Sequence, residues 1–164
     1  MIPKLAKRIV LDTNVCLDLF VFRDARWALL LDGLKTGALV AITRDDCRTE
    51  WQLVLRYEHL KLDDETRVSV ASEFDALIQC EPTLQSDMAS VKLPICKDKD
   101  DQKFLELARD AKASVLITKD KALLKLARKT QRDGLFAIMT PDLWLKTALN
   151  ENQDDLTRQD QAHT

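Results

Sequence analysis

Four short apolar runs alternate with helical stretches along this chain, and that alternation limits its fold more than any other feature. The runs occupy residues 8–11, 39–43, 114–118 and 135–139, reading RIVL, LVAIT, SVLIT and LFAIM. Between them, apolar residues recur at helical spacing, predicting helices over 15–22, 26–35, 45–59, 62–78, 100–112 and 121–130. Another helix should start at Pro141. Strands that alternate with helices make parallel βαβ units. The expected class is therefore α/β, a three-layer α/β/α sandwich with a central parallel sheet. The stretch 80–96, which contains Pro82 and Pro94, has no sustained period and reads as a connector with room for one short strand.

The 164 residues suit one domain. It is expected over 1–149, with 150–164 a polar, disordered tail. Cys16, Cys47, Cys80 and Cys96 are scattered without a C-x-x-C pair, which argues against zinc and disulfides and for a reducing, cytoplasmic setting. No run is long and apolar enough to span a bilayer, so no membrane partner is expected. The net charge of −2 supplies no global attraction for a polyanion. A nucleic acid would have to be held by a local basic patch or through metal.

The first run stops abruptly at Asp12, and three further acids recur where such a strand would need company. Glu50 lies three residues after Cys47 and four before Val54, on or beside an otherwise apolar helix stripe. A carboxylate there is costly unless paired or metal-bound, and Arg44 or Arg48 could pair with it. In Asp98-Lys99-Asp100-Asp101, Asp98 is the natural helix cap, and Asp101, three before Phe104, points inward. Asp120 follows Thr118 and Lys119, where it could equally cap the next helix. Asp12 could be a cap too, although Thr13 or Asn14 could take that duty and leave it free. In an open parallel sheet, functional groups collect beyond the carboxyl ends of the strands. Four acids converging there would form an oxygen-rich cage for a hard cation, Mg²⁺ or Mn²⁺.

Taken in order, these segments resemble the PIN-domain family of metal-dependent nucleases. The matching residues are Ile9-Val10-Leu11-Asp12-Thr13-Asn14, then Glu50, then 98–108 (DKDDQKFLELA) and 116–124 (LITKDKALL). The likeness spans residues 8–145, and the acidic cluster before Phe-Leu-Glu-Leu-Ala is similar to PIN-type toxins of bacterial toxin–antitoxin systems. It implies a doubly wound parallel sheet, Mg²⁺ or Mn²⁺, and hydrolysis of RNA phosphodiester bonds by an endoribonuclease. Asp12, Glu50, Asp101 and Asp120 take the acidic, metal-holding positions. Thr13 or Asn14 would orient a carboxylate or water, and Thr118 would be the hydroxyl partner of the last acid. Asp98 and Asp100 have no fixed counterpart. The resemblance also implies a cognate antitoxin protein and a homodimer.

With only His59 and His163, histidine-based RNA cleavage has little to work with, and metal catalysis is the expected route. Lys97, Lys99, Lys103, Lys119 and Lys121 flank the acids and, with Arg44 and Arg48, are candidates for holding substrate. Two other classes compete. A phosphatase-like phosphoryl-transfer enzyme would want Asp two residues after Asp12, where this chain has Asn14; a response-regulator receiver wants its later Thr and Lys on separate strands, and Thr118 and Lys119 are adjacent. A non-enzymatic interaction module would use its acids only as caps and ignore metal.

Overall fold

The computed structural model describes residues 7–82 and 91–161. Five strands, β1 (Lys7–Leu11), β2 (Leu39–Thr43), β3 (Ile78–Cys80), β4 (Val115–Ile117) and β5 (Ala137–Met139), form one sheet in the order β3-β2-β1-β4-β5. Every pairing is parallel. Among the described residues there are eight α-helices, α1 (Thr13–Phe20), α2 (Ala28–Thr36), α3 (Asp45–Val54), α4 (Asp64–Leu77), α5 (Gln102–Asp110), α6 (Lys121–Leu124), α7 (Ala127–Arg132) and α8 (Pro141–Gln161). The expected α/β sandwich with a parallel sheet is the fold observed.

Alternation along each strand sends side chains to two separate cores. Ile9, Leu11, Ala41, Val115 and Ile117 face α1, α2 and α4, with Trp144 and Leu145 of α8 packed at that cluster's margin. There Trp51 and Phe74 stack with centroids 4.9 Å apart, and Phe20 meets both edge-on. Val10, Ile42, Leu116 and Ile138 face the other way, onto Phe104, Leu105 and Ala108 of α5 and onto Leu123 and Leu126. Burying an aromatic of this kind contributes about 1.5–3 kcal/mol.

The chain runs β1, β2, β3 in one direction and then returns to place β4 on the far side of β1. The carboxyl ends of β1 and β4 therefore flank a topological switch point, the position at which open α/β sheets bind ligands. Leu11 is registered with Ile117. The residues that follow each of them, Asp12 and Thr118, thus emerge side by side.

Four local expectations needed correction. The short strand of the connector sits earlier, at Ile78–Cys80. The ladder rather than the helix claims Ile78, which pairs with Ala41, and Glu81 N–H extends it to the Thr43 carbonyl. Residues 83–90, the middle of the connector, lie outside the described residues. The helix expected over 45–59 stops at Val54, and Glu58–Leu60 makes a separate 3₁₀ turn. The helix expected over 121–130 is broken into α6 and α7, and no residue type at 125 or 126 marks the break. Finally, α8 continues to Gln161 instead of ending near 150. No Gly or Pro follows Pro141 to stop it, and Lys7 ties to Glu151 at 2.8 Å.

Candidate metal centre and active site

Asp12 is the N-cap of α1, so of the three candidates for that duty, Asp12, Thr13 and Asn14, it is the one that carries it. Its Oδ1 accepts from Thr13 N–H at 2.7 Å, and its carbonyl accepts from Val15 and Cys16 N–H. Its Oδ2 accepts from Thr118 Oγ1 at 2.7 Å. The residue is 4% exposed. Burial pushes its pKa up to about 6, against the lowering effect of the Thr118 and Thr13 bonds, with Glu50 and Asp120 adding like-charge repulsion.

Thr118 is fully buried and joins two acids. While its hydroxyl donates to Asp12, it accepts from Asp120 N–H at 2.9 Å. Asp120 in turn caps α6, accepting from Ala122 N–H at 2.8 Å. One hydroxyl thereby fixes the end of β1 against the start of α6.

Asp101 arrives from the other side. A 3₁₀ turn, Lys99–Asp101, is capped by Asp98, whose Oδ1 accepts from Asp100 N–H, and it delivers Asp101 to the head of α5. Asp101 occupies the cap position of α5 without a side-chain cap bond. It is 8% exposed, and no donor among the described residues reaches its buried Oδ2. Burial raises its pKa to about 7, followed by a hydrogen bond with Asp120 and repulsion from Asp12, Asp120 and Asp98.

One oxygen each from Asp98, Asp101 and Asp120 lie within 4.8 Å of one another. Asp98, read from the sequence as a helix cap, does cap the 3₁₀ turn and also joins the cluster. Its place three residues before Asp101 was the signal available in the sequence. Asp100 is exposed, and its N–H is spent on Asp98.

Glu50 reaches the same edge from α3. Its Oε2 accepts from Thr13 Oγ1, and its Oε1 pairs with Lys103 Nζ at 2.9 Å. Neither Arg44 nor Arg48 pairs with it, contrary to the alternative the sequence allowed. Arg44 is buried against Asp46, Glu106 and Asp110, and Arg48 pairs with Asp75. Lys119 is also engaged: its Nζ meets Asp18 at 2.8 Å, and its N–H points at Asn14 Oδ1 at 3.4 Å. Asp18, the acid that punctuates the apolar helix α1, was not among the candidate site residues. Lys97, Lys99 and Lys121 are exposed.

The donor set is all oxygen, it gathers like charges, and it leaves a buried carboxylate oxygen without a donor. Those properties fit a hard divalent cation such as Mg²⁺ or Mn²⁺, which would be held by Asp101, Asp120 and Asp98 with Asp12 and Glu50 beside them.

Comparison with known proteins gives the family and a likeness of fold. The PIN domain family matches residues 8–122. No curated protein matches the chain. Among solved structures, the chain is similar to one chain of the crystal structure of VapBC2 from Rickettsia felis bound to a DNA fragment from their promoter. The TM-score is 0.52 at 16% identity, over 81% of this chain and 98% of that one, a likeness of fold. With more than half its length matched by the family, the chain belongs to the PIN domain family.

Proposed function

We propose that the protein is a Mg²⁺- or Mn²⁺-dependent endoribonuclease that hydrolyses RNA phosphodiester bonds. The observation that carries this reading is Asp101: a buried carboxylate beside Asp98 and Asp120, with one oxygen that no described donor satisfies. A bound cation would supply Lewis acidity toward a phosphate oxygen and an attacking water. Asp12, Glu50, Asp101 and Asp120 hold the site's negative charge. Thr118 positions Asp12 and Asp120, Thr13 positions Glu50, and Asn14 steadies the backbone of Lys119. Lys99 stands at the rim as a phosphate contact.

The family and the VapBC2 likeness support a toxin role with a cognate antitoxin protein as partner, and a homodimer acting in the cytoplasm completes the proposal. Among the described residues, no helix is long and apolar enough to cross a membrane. The interaction-module reading draws on the fact that Asp12, Asp98 and Asp120 all cap helical turns. Asp101 makes no cap bond, and capping alone does not account for it.

The test is cleavage of labelled single-stranded RNA by purified protein with Mn²⁺, Mg²⁺ or EDTA, beside Asp12→Asn. Metal-dependent cutting that the substitution abolishes is the expected result. Absence of cutting, together with no metal-induced rise in melting temperature, would overturn the nuclease reading and favour the interaction module.

A further inference from the structure

Several of the cations nearest the acids are committed elsewhere: Arg44, Arg48, Lys103 and Lys119 all face carboxylates. A denser group of free ones lies on α6 and α7. Lys121, Lys125, Arg128 and Lys129 are exposed and form no ion pair among the described residues. Arg132, whose side chain is 73% exposed, meets only its neighbour Asp133. No acid interrupts residues 121–132, in a chain whose net charge is −2.

Helical geometry gathers these cations on one surface. Leu123, Leu126 and Thr130 are buried against the sheet, and residues 121, 125, 128, 129 and 132 lie on the opposite side at spacings of three and four. Lys125 N–H bonds back to Lys121 and Thr130 N–H to Leu126 on either side of the junction, and Leu126 N–H reaches Leu123 across it. The ridge begins immediately after Asp120 and ends before β5, on the connection that returns from the carboxyl end of β4 to the start of β5. None of the large exposed apolar residues falls within it. Protein interfaces are built around apolar and aromatic anchors, whereas phosphate contacts require only cations.

We propose that this ridge is a track for a single-stranded RNA backbone, carrying the strand away from the carboxylate site. The choice of RNA rests on the nuclease reading; the polyanion-binding surface stands on its own charge pattern. Each lysine or arginine takes one phosphate, with no base readout.

The test is binding of a labelled single-stranded oligoribonucleotide in EDTA across a salt series. It compares wild type, the ridge variant Lys125→Gln/Arg128→Gln/Lys129→Gln, and a control, Lys35→Gln/Arg56→Gln/Lys61→Gln, with the same charge change elsewhere. The slope of log K against log salt should shrink by about 2 in the ridge variant, since each lost phosphate contact on a single strand removes about 0.7. The control should keep the wild-type slope. A variant with Lys125→Arg and Lys129→Arg should keep it as well, separating charge from folding. Equal losses in ridge and control, no change in either, or no RNA binding by wild type at low salt would overturn the track. So would an unchanged slope alongside an altered particle mass in light scattering, which would mark the ridge as a protein surface. Cleavage assayed in parallel keeps the two readings apart. Metal-dependent cutting with an unchanged ridge slope sinks the track alone. A slope reduced in the ridge variant, with a wild type that binds RNA but cuts nothing, sinks the nuclease alone.

Discussion

Two charged sites on neighbouring elements of this molecule are built in opposite ways. Arg44, at the head of α3, is 8% exposed and meets Asp46, Glu106 and Asp110 at 2.8, 2.7 and 3.7 Å. Asp101, at the head of α5, is just as buried, yet it meets Asp98, Asp120 and Asp12. The first site surrounds a buried charge with opposite charge and clamps α3 to α5. The second surrounds it with the same charge and leaves an oxygen unsatisfied. Folding alone would not retain the second arrangement, because like charges in low dielectric raise the free energy of the native state. The contrast separates a cluster that folding accounts for from one whose residues fit a cation.

The largest effect expected from breaking this contrast is at Arg44. Arg44→Met removes the cation and leaves three carboxylates facing one another. The carboxylates left behind are 46%, 40% and 24% exposed and keep part of their hydration. The cost is therefore about 2–3 kcal/mol, below that of a fully buried pair. At about 2–4 °C per kcal/mol for a domain of this size, the melting temperature falls by roughly 5–10 °C. A thermal melt at neutral pH reads it, and an unchanged melting temperature would remove the structural half of the comparison.

Asp101→Asn should act in the opposite direction. Without metal at neutral pH it relieves the repulsion and gives Asp120 an amide donor, raising stability by about 1–2 kcal/mol. Urea unfolding in EDTA measures this, and a loss of stability would show that the acid is a structural residue.

The two sites also predict opposite dependences on pH. Asp12 and Asp101 have native pKa values raised to about 6 and about 7, above the unfolded carboxylate value of about 4. Between those values the native state holds protons that the unfolded chain has released, so metal-free stability falls as pH rises from about 4 through 7. At Arg44 the order reverses: hydrogen bonding to its guanidinium holds Asp46 below the ordinary value. That contribution is present above about pH 4 and is lost as pH falls through the lowered pKa. Asp101→Asn should flatten the upper window and leave the lower one intact, as unfolding free energies across the pH range will show.

The smallest effect is expected at Lys103. Lys103→Met breaks a pair whose side chains are 21% and 28% exposed, so stability should move by under about 1 kcal/mol. The substitution frees Glu50 Oε1 and removes a positive charge from the cation's surroundings. Mn²⁺ affinity should therefore rise in a titration, and weaker binding would assign Lys103 a supporting part in the site.

Much of this was legible in the sequence, and the parts that were not have physical causes. The strands at 8–11, 39–43, 114–118 and 135–139 are uniformly apolar because helices cover both faces of the sheet, and such runs stand out against amphipathic helices. Ile78–Cys80 did not stand out, because three residues appended to a helix carry no period of their own. Asp101 could be read as inward from its spacing to Phe104, and burial at 8% agrees. Asp98 required knowledge that the turn before α5 is 3₁₀. The pairing of Lys103 with Glu50, and of Lys119 with Asp18, joins residues 53 and 101 apart in the chain, which no local pattern reports. The same blindness made Arg44 look like a substrate contact when it is a buried clamp.

The most direct measurement is calorimetric titration of Mn²⁺ into the metal-free protein at about pH 8, above both raised pKa values, beside Asp101→Asn. Saturable binding by the wild type, weakened at least about tenfold by the substitution (about 1.4 kcal/mol), is the predicted result. Equal binding by both proteins, or no binding by the wild type, would contradict the assignment of these carboxylates to a cation.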